Sequence, residues 1–232
     1  RPGVFDRPAR TPKMPNYNHR HPRRQAATAL AVLVCAGALP GAALAFTATI
    51  TAGNPRAIYL QVGVGGFTGT YRGGGTPGNN TTVNLVSVTV PSGAVGSGAP
   101  QAMTTNSTVG ASSYDGFVFC NTPAQLYIGG FYRFNNNAAG AAATLTATSP
   151  ANLTNAAGDT IPFTQISWTS SGNSDTGAQP FPAGAFTGAT QTIGTIQRNQ
   201  WAESCHTFSY ANSAIRAAGI YNGRVTYTLT AP

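Results

Sequence analysis

The side chains that could do chemistry are few in this chain and thinly spread. Beyond residue 45 there is one histidine, His206, which adjoins Cys205, and the carboxylates are Asp115, Asp159, Asp175 and Glu203. A cysteine beside a histidine invites a thiolate–imidazolium pair or two metal ligands. Neighbours in a strand point to opposite faces, however, so Cys205 and His206 converge poorly on one atom. A glycosidase needs two carboxyl groups about 5–10 Å apart. Asp115 precedes Gly116, and Asp175 sits in Ser-Gly-Asn-Ser-Asp-Thr-Gly, both of them turn contexts. Asp159 follows Gly158 at the start of an expected strand. That leaves Glu203, near Trp201 and Cys205, as the one carboxylate placed to act as a general acid. There is no G-x-S-x-G, H-E-x-x-H or P-loop, and the glycine run at 63–68 lacks the last glycine of a dinucleotide fingerprint. The cysteines form no C-x-x-C, which disfavours a thioredoxin-type site or a zinc ribbon. The chain therefore reads as non-enzymatic, with no catalytic residue, metal or cofactor expected.

Two other groups of residues bear on binding. Trp168 and Trp201, with Tyr114, Tyr132 and Tyr221, could offer faces on which a pyranose ring stacks, or could simply pack in a core. Glycans are thus one class of partner, and a self-contained carbohydrate-binding module is the second functional reading; a secreted glycoside hydrolase using Glu203 is the third. The charge balance points away from nucleic acid. The formal net charge is +8, but Arg1, Arg7, Arg10, Lys13, Arg20, Arg23 and Arg24 all precede residue 46. The rest of the chain scatters Arg56, Arg72, Arg133, Arg198, Arg216 and Arg224 without a cluster, whereas phosphate binding concentrates positive charge.

The basic N-terminal segment has its own explanation. Arg20, Arg23 and Arg24 precede an apolar run at 29–39, broken by Pro40-Gly41 and followed by Ala43-Leu44-Ala45. This is the pattern of a secretory signal peptide, expected over 14–45 with cleavage before Phe46. Residues 1–13, which precede Met14, are expected to be an untranslated or disordered extension. The apolar run is well short of the ~20 residues that span a bilayer, so no membrane span is expected in the mature chain. Export puts Cys120 and Cys205 in an oxidising compartment, where an even pair most simply forms one disulfide.

Residues 46–232 are enough for one domain with a substantial core. Apolar residues alternate in short runs between Gly, Pro, Asn and Ser: Phe46, Ala48, Ile50; then Ile58, Leu60, Val62; then Val86, Val88, Val90. Further strands are expected at 116–121, 125–134, 143–148, 161–168, 190–197, 205–210 and 223–230, with a glycine-rich loop and short hairpin within 63–80. Helical periodicity is confined to a short candidate at 212–218. About ten short strands predict an all-β fold, an antiparallel Ig-like β-sandwich, with a closed barrel as the alternative. In the strand at 116–121, Phe117 and Phe119 should share one face and Val118 and Cys120 the other. If Phe208 and Tyr210 face the core, Cys205 faces away, placing the disulfide at an outer face or rim. The strand at 125–134 is apolar on both faces, so it is either covered twice or part of a contact surface.

Two segments resemble a known family. Gly158-Asp159-Thr160-Ile161-Pro162-Phe163 is similar to the G-D-T-I-P-[FY] segment of bacterial fimbrial subunits and spore-coat-U-type domains. The ending, with Ala218, Gly219, Tyr221, Val225, Tyr227, Thr228 and Leu229, resembles their final strand. The resemblance implies a secreted, periplasmic or cell-surface subunit of the chaperone–usher kind, partnered by like subunits or a periplasmic chaperone through β-strand addition. By that likeness 46–51 is the assembly strand, offering Phe46, Ala48 and Ile50, while Val225, Tyr227 and Leu229 line part of the acceptor side or pair with the chaperone. The chain departs from the family in lacking a cysteine soon after the assembly strand. The leading expectation is a non-enzymatic structural or adhesive subunit. Its surface must be built of hydroxyls and amides, because no lysine follows Lys13 and charge is sparse.

Overall fold

Short runs rich in Thr, Val, Ile and aromatic residues, punctuated by Gly, Pro and Asn, have nowhere to go but strands and turns. The computed structural model describes residues 46–135, 140, 142–172 and 177–232. The expected extension and signal peptide lie outside the described residues, as does Asp175. The first strands are β1 (Thr47–Thr49), β2 (Ala57–Val62), β3 (Phe67–Thr68), β4 (Thr76–Pro77), β5 (Val86–Ser87), β6 (Gln101–Ala102) and β7 (Thr104–Thr105). Longer elements follow: β8 (Leu126–Arg133), β9 (Ala143–Thr148), β10 (Asn152–Thr154), β11 (Thr160–Pro162) and β12 (Ile166–Ser171). The last are β13 (Gly184–Ala185), β14 (Thr190–Ile196), β15 (Gln200–Tyr210) and β16 (Thr226–Thr230).

The strands form an antiparallel all-β sandwich, not a barrel. The larger sheet runs β13-β12-β15-β8-β2, and the smaller runs β14-β9-β16. Strand β15 is the axis of the larger sheet. Its first half pairs with β8 and its second half with β12, on opposite edges. The places left beside it are taken by β1, opposite Gln200–Ala202, and by β6, opposite Ser209 and Tyr210.

The pleat divides the side chains of β8 and β15 between two different interiors. Leu126, Ile128, Tyr132, Ala202, Phe208 and Tyr210 face the smaller sheet and pack with Leu145, Ile196 and Leu229 in the main core. Tyr127, Phe131, Trp201 and Cys205 face the other way, where the irregular segment between β2 and β8 covers them. The strand expected to be apolar on both faces is therefore covered twice, and the larger sheet is the middle of three layers. The smaller sheet shows ordinary alternation, since only one face of β9 is buried.

Some expectations need correction. No helix forms at 212–218: Asn212 has φ of 50°, and its side chain accepts from Gly96 N at 2.9 Å and donates to Ala94 O at 2.7 Å. A left-handed start pinned to a distant loop is incompatible with a right-handed helix. The 116–121 segment is not a strand either, beyond an isolated bridge from Val118 to Ala111. Phe117 and Val118 are both exposed while Phe119 and Cys120 are both buried, so the expected alternation fails. The three valines at 86–90 all pack on the main core, but only Val86–Ser87 pairs as a strand.

Candidate functional site

The middle layer brings the chemistry-bearing residues together around Glu203. Opposite it on β8 lies Gly129, which has no side chain, and that gap admits the tyrosine ring two residues earlier. A methyl added at Gly129 would run into the Tyr127 hydroxyl. Glu203 is fully buried and accepts from three donors: Ser112 Oγ at 2.5 Å, Trp201 Nε1 at 3.0 Å and the Tyr127 hydroxyl. Burial pushes its carboxyl above the usual carboxylate range, the three donors pull it back, and the charge of Asp115 adds a lesser push upward. The same burial, with the Glu203 charge beside it, holds the Tyr127 phenol well above its ordinary value. Ser112 also accepts from Tyr114 N at 3.0 Å, so the carboxylate anchors a whole turn of the covering segment.

Around this hub lies an aromatic cluster. Trp201 is fully buried, with Tyr71 and Phe131 at 5.3 and 5.7 Å and Phe67 edge-on at 5.8 Å. Phe46 packs edge-on against Tyr114 and Phe119, each at 5.7 Å. The Cys120–Cys205 disulfide is formed, with Cα atoms 5.5 Å apart and a sequence separation of 85. Cys205 does face away from the sandwich core, as expected. The bond is not at a rim, however, because Cys120 is 2% exposed and Cys205 fully buried beneath the covering layer.

His206 faces the other interior. Its ring stacks on Trp168 at 5.6 Å, and Nε2 donates to Phe181 O at 3.0 Å. A carbonyl can only accept, so Nε2 carries the proton; Nδ1 is buried with no hydrogen-bond partner among the described residues. Burial lowers its pKa to about 4, partly offset by the Phe181 carbonyl. Glu203 and His206 thus point to opposite faces of β15, and both are buried. Among the described residues no cluster of His, Cys, Asp and Glu could hold a metal ion. Trp168 and Trp201 are 5% and 0% exposed, so neither presents a ring face to a sugar. Sequence reasoning singled out Glu203 but missed Ser112 and Tyr127, whose only signal is spacing through a fold that periodicity does not reveal.

The residues of the expected assembly strand lie in the chain's own sheet. Ala48 pairs with Trp201, Phe46 packs on the aromatic cluster, and Ile50 is buried. On β16, Leu229 is buried and Tyr227 partly so, both packed in the main core with the half-buried Val225 that precedes them. β2 ends the larger sheet and β16 the smaller, and the two come together along one side of the sandwich. Between them is a groove of about 300 Å³ lined by Arg56, Ile58, Leu229, Thr230 and Ala231. Arg56 Nη1 donates to the carbonyl of Pro232.

No family model, curated protein or solved structure matches this chain. Its class is that of an all-β sandwich with an additional irregular layer, and Glu203 lies in a buried polar hub within it.

Proposed function

We propose that this chain is a secreted, non-enzymatic structural or adhesive subunit of the bacterial fimbrial or spore-coat kind, working in the periplasm or at the cell surface and assembling by β-strand addition. One observation carries the reading: β2 and β16 are terminal strands of their two sheets and lie side by side along an open groove. Unpaired edges recruit other strands, and folded proteins blunt them with charge, proline or bulges. Here β2 and β16 contain no charged residue, and Ile58 on the edge is 44% exposed. An extended segment laid along the β2 edge would continue the larger sheet and cover Ile58. The 46–51 segment of another subunit has the alternation for this, and β1 is short and holds an edge position in its own sheet. Like subunits, or a periplasmic chaperone guarding the same groove, are the partners. The burial of Glu203 and His206 supports a non-catalytic role.

The test is size-exclusion chromatography with negative-stain microscopy on protein exported by its native host. Filaments or a ladder of multimers are expected, collapsing to monomer in Ile58→Asp. A single monomeric peak without filaments in the wild type removes the reading.

A further inference from the structure

The covering layer has a groove of its own, lined by different residues from the β2–β16 groove and distinct in chemistry. It is an open surface groove of about 530 Å³ lined by Thr70, Arg72, Gly73, Asp115, Gly116 and Phe117. Two turns form it, and both are firmly held. Tyr71 N donates to Ser113 O at 2.9 Å and Arg72 N to Tyr114 O at 2.7 Å, joining one turn to the other. Within the second turn, Ser112 N donates to Phe117 O at 2.7 Å, and Asp115 Oδ1 accepts from Phe117 N at 2.9 Å. Below them Ser112 is fastened to Glu203, and the Tyr71 and Tyr114 rings stack at 6.3 Å. Gly116, at φ of +81°, lets the turns close up: a methyl there would press the Thr70 methyl at 3.2 Å.

On this rigid base Phe117 is left 60% exposed, although Phe119 two residues on is 2% exposed. A large ring held at the wall of a preformed groove offers a flat apolar face. Arg72 and Asp115 line the same groove, and their side chains end in planar groups, a guanidinium that only donates and a carboxylate that accepts, each able to grip two adjacent hydroxyls. Their opposite charges leave no net attraction for an anion. A pyranose ring has the matching anatomy: one face of C–H groups and an edge of hydroxyls. We propose that this groove binds a neutral oligosaccharide, with Phe117 as the stacking face and Arg72 and Asp115 as the hydroxyl-binding edge. This site is independent of strand addition and replaces the tryptophans as the glycan-contacting surface.

The experiment is isothermal titration of the full chain with cellohexaose, mannohexaose and xylohexaose, and with hexagalacturonate as the acidic counterpart. Saturable binding is expected for at least one neutral hexasaccharide. Phe117→Ala should weaken it about ten-fold, the loss of one stacked ring. Arg72→Ala and Asp115→Asn should each weaken it about five-fold without moving the thermal midpoint, since the asparagine keeps the acceptor for Phe117 N. Ile58→Asp should bind sugar like the wild type, which separates this site from assembly. The proposal fails if no neutral hexasaccharide binds saturably, if binding survives Phe117→Ala, or if hexagalacturonate binds more tightly than all three.

Discussion

Ser112 Oγ lies 2.5 Å from Glu203 Oε1, although 91 residues separate the two in sequence. The contact fastens the covering segment to the central strand at a point where water is excluded, so it is strong and costly to break. Glu203→Ala would leave the Ser112, Tyr127 and Trp201 donors buried without an acceptor. We expect a loss of about 3–5 kcal/mol in urea unfolding, against about 1–2 for Glu203→Gln, which keeps a carbonyl oxygen in place. Equal losses for the two variants would mean that packing, not hydrogen bonding, is what Glu203 supplies.

The raised pKa of Glu203 sets a pH dependence of definite sign. Between the unfolded value of 4.5 and the higher folded value, the folded chain binds a proton that the unfolded chain does not. The contribution is complete below 4.5 and is lost as pH rises through the folded value. Relative to wild type, Glu203→Gln should therefore lose less stability as pH increases across that window. Unfolding free energies at half-unit pH steps check this, and an opposite trend overturns it.

His206 works in the other direction. Its pKa falls from 6.5 unfolded to about 4 folded, so the unfolded chain binds more protons between those values. Stability from this group is complete above 6.5 and is lost as pH falls toward 4, amounting to about 3 kcal/mol across the window. In His206→Gln the amide can still donate to Phe181 O but does not titrate. Its stability should no longer drop on acidification, and the rise due to Glu203 should become visible.

The Cys120–Cys205 bond closes a loop of 85 residues that links the covering layer to the central strand. The loop-entropy model assigns it about 4–5 kcal/mol. A Cys120→Ser, Cys205→Ser double variant should fall in stability by up to that amount. Hydrogen exchange should quicken most in 105–125, where backbone bonds such as Phe119 N to Gly110 O hold short turns, and least in β9 and β14. Uniform acceleration through all three layers would show that the covering segment does not open independently.

The parts of this fold legible in the sequence are those where one face of a strand meets water. β9 spans Ala143–Thr148, as its alternation predicts, and β14 and β16 fall within the expected runs. β15 is longer than expected because its first half carries Glu203 and Ser204, polar residues that read as the end of a core strand. Both are buried and hydrogen-bonded, Ser204 Oγ accepting from Phe181 N at 3.3 Å. The segment from 63 to 125 was least legible, since turns and side-chain bonds such as Asn84 Nδ2 to Val62 O at 2.7 Å have no period. Phe117 shows the same limit: only a bend, which alternation cannot register, puts it outside while Phe119 goes inside.

Because β1 completes its own sheet, deletion of 46–51 has a consequence beyond assembly. It removes Phe46 from between Tyr114 and Phe119, takes away the buried Ile50, and uncovers the edge of β15 beside Trp201. Losing these contacts should cost about 3–5 kcal/mol and expose the tryptophan, read as a red-shifted emission maximum. A synthetic peptide Phe-Thr-Ala-Thr-Ile-Thr added in trans should restore both stability and the blue-shifted emission, because the vacated place needs only an extended backbone with side chains at alternate positions. A peptide with aspartate at the three apolar positions should not. Recovery would establish that this strand can leave its place beside β15 and be supplied by a separate chain, a place distinct from the β2–β16 edge proposed to accept a neighbour's segment. If the deleted domain keeps its native emission, or the peptide fails to rescue a domain that still folds, β1 is not an exchangeable strand.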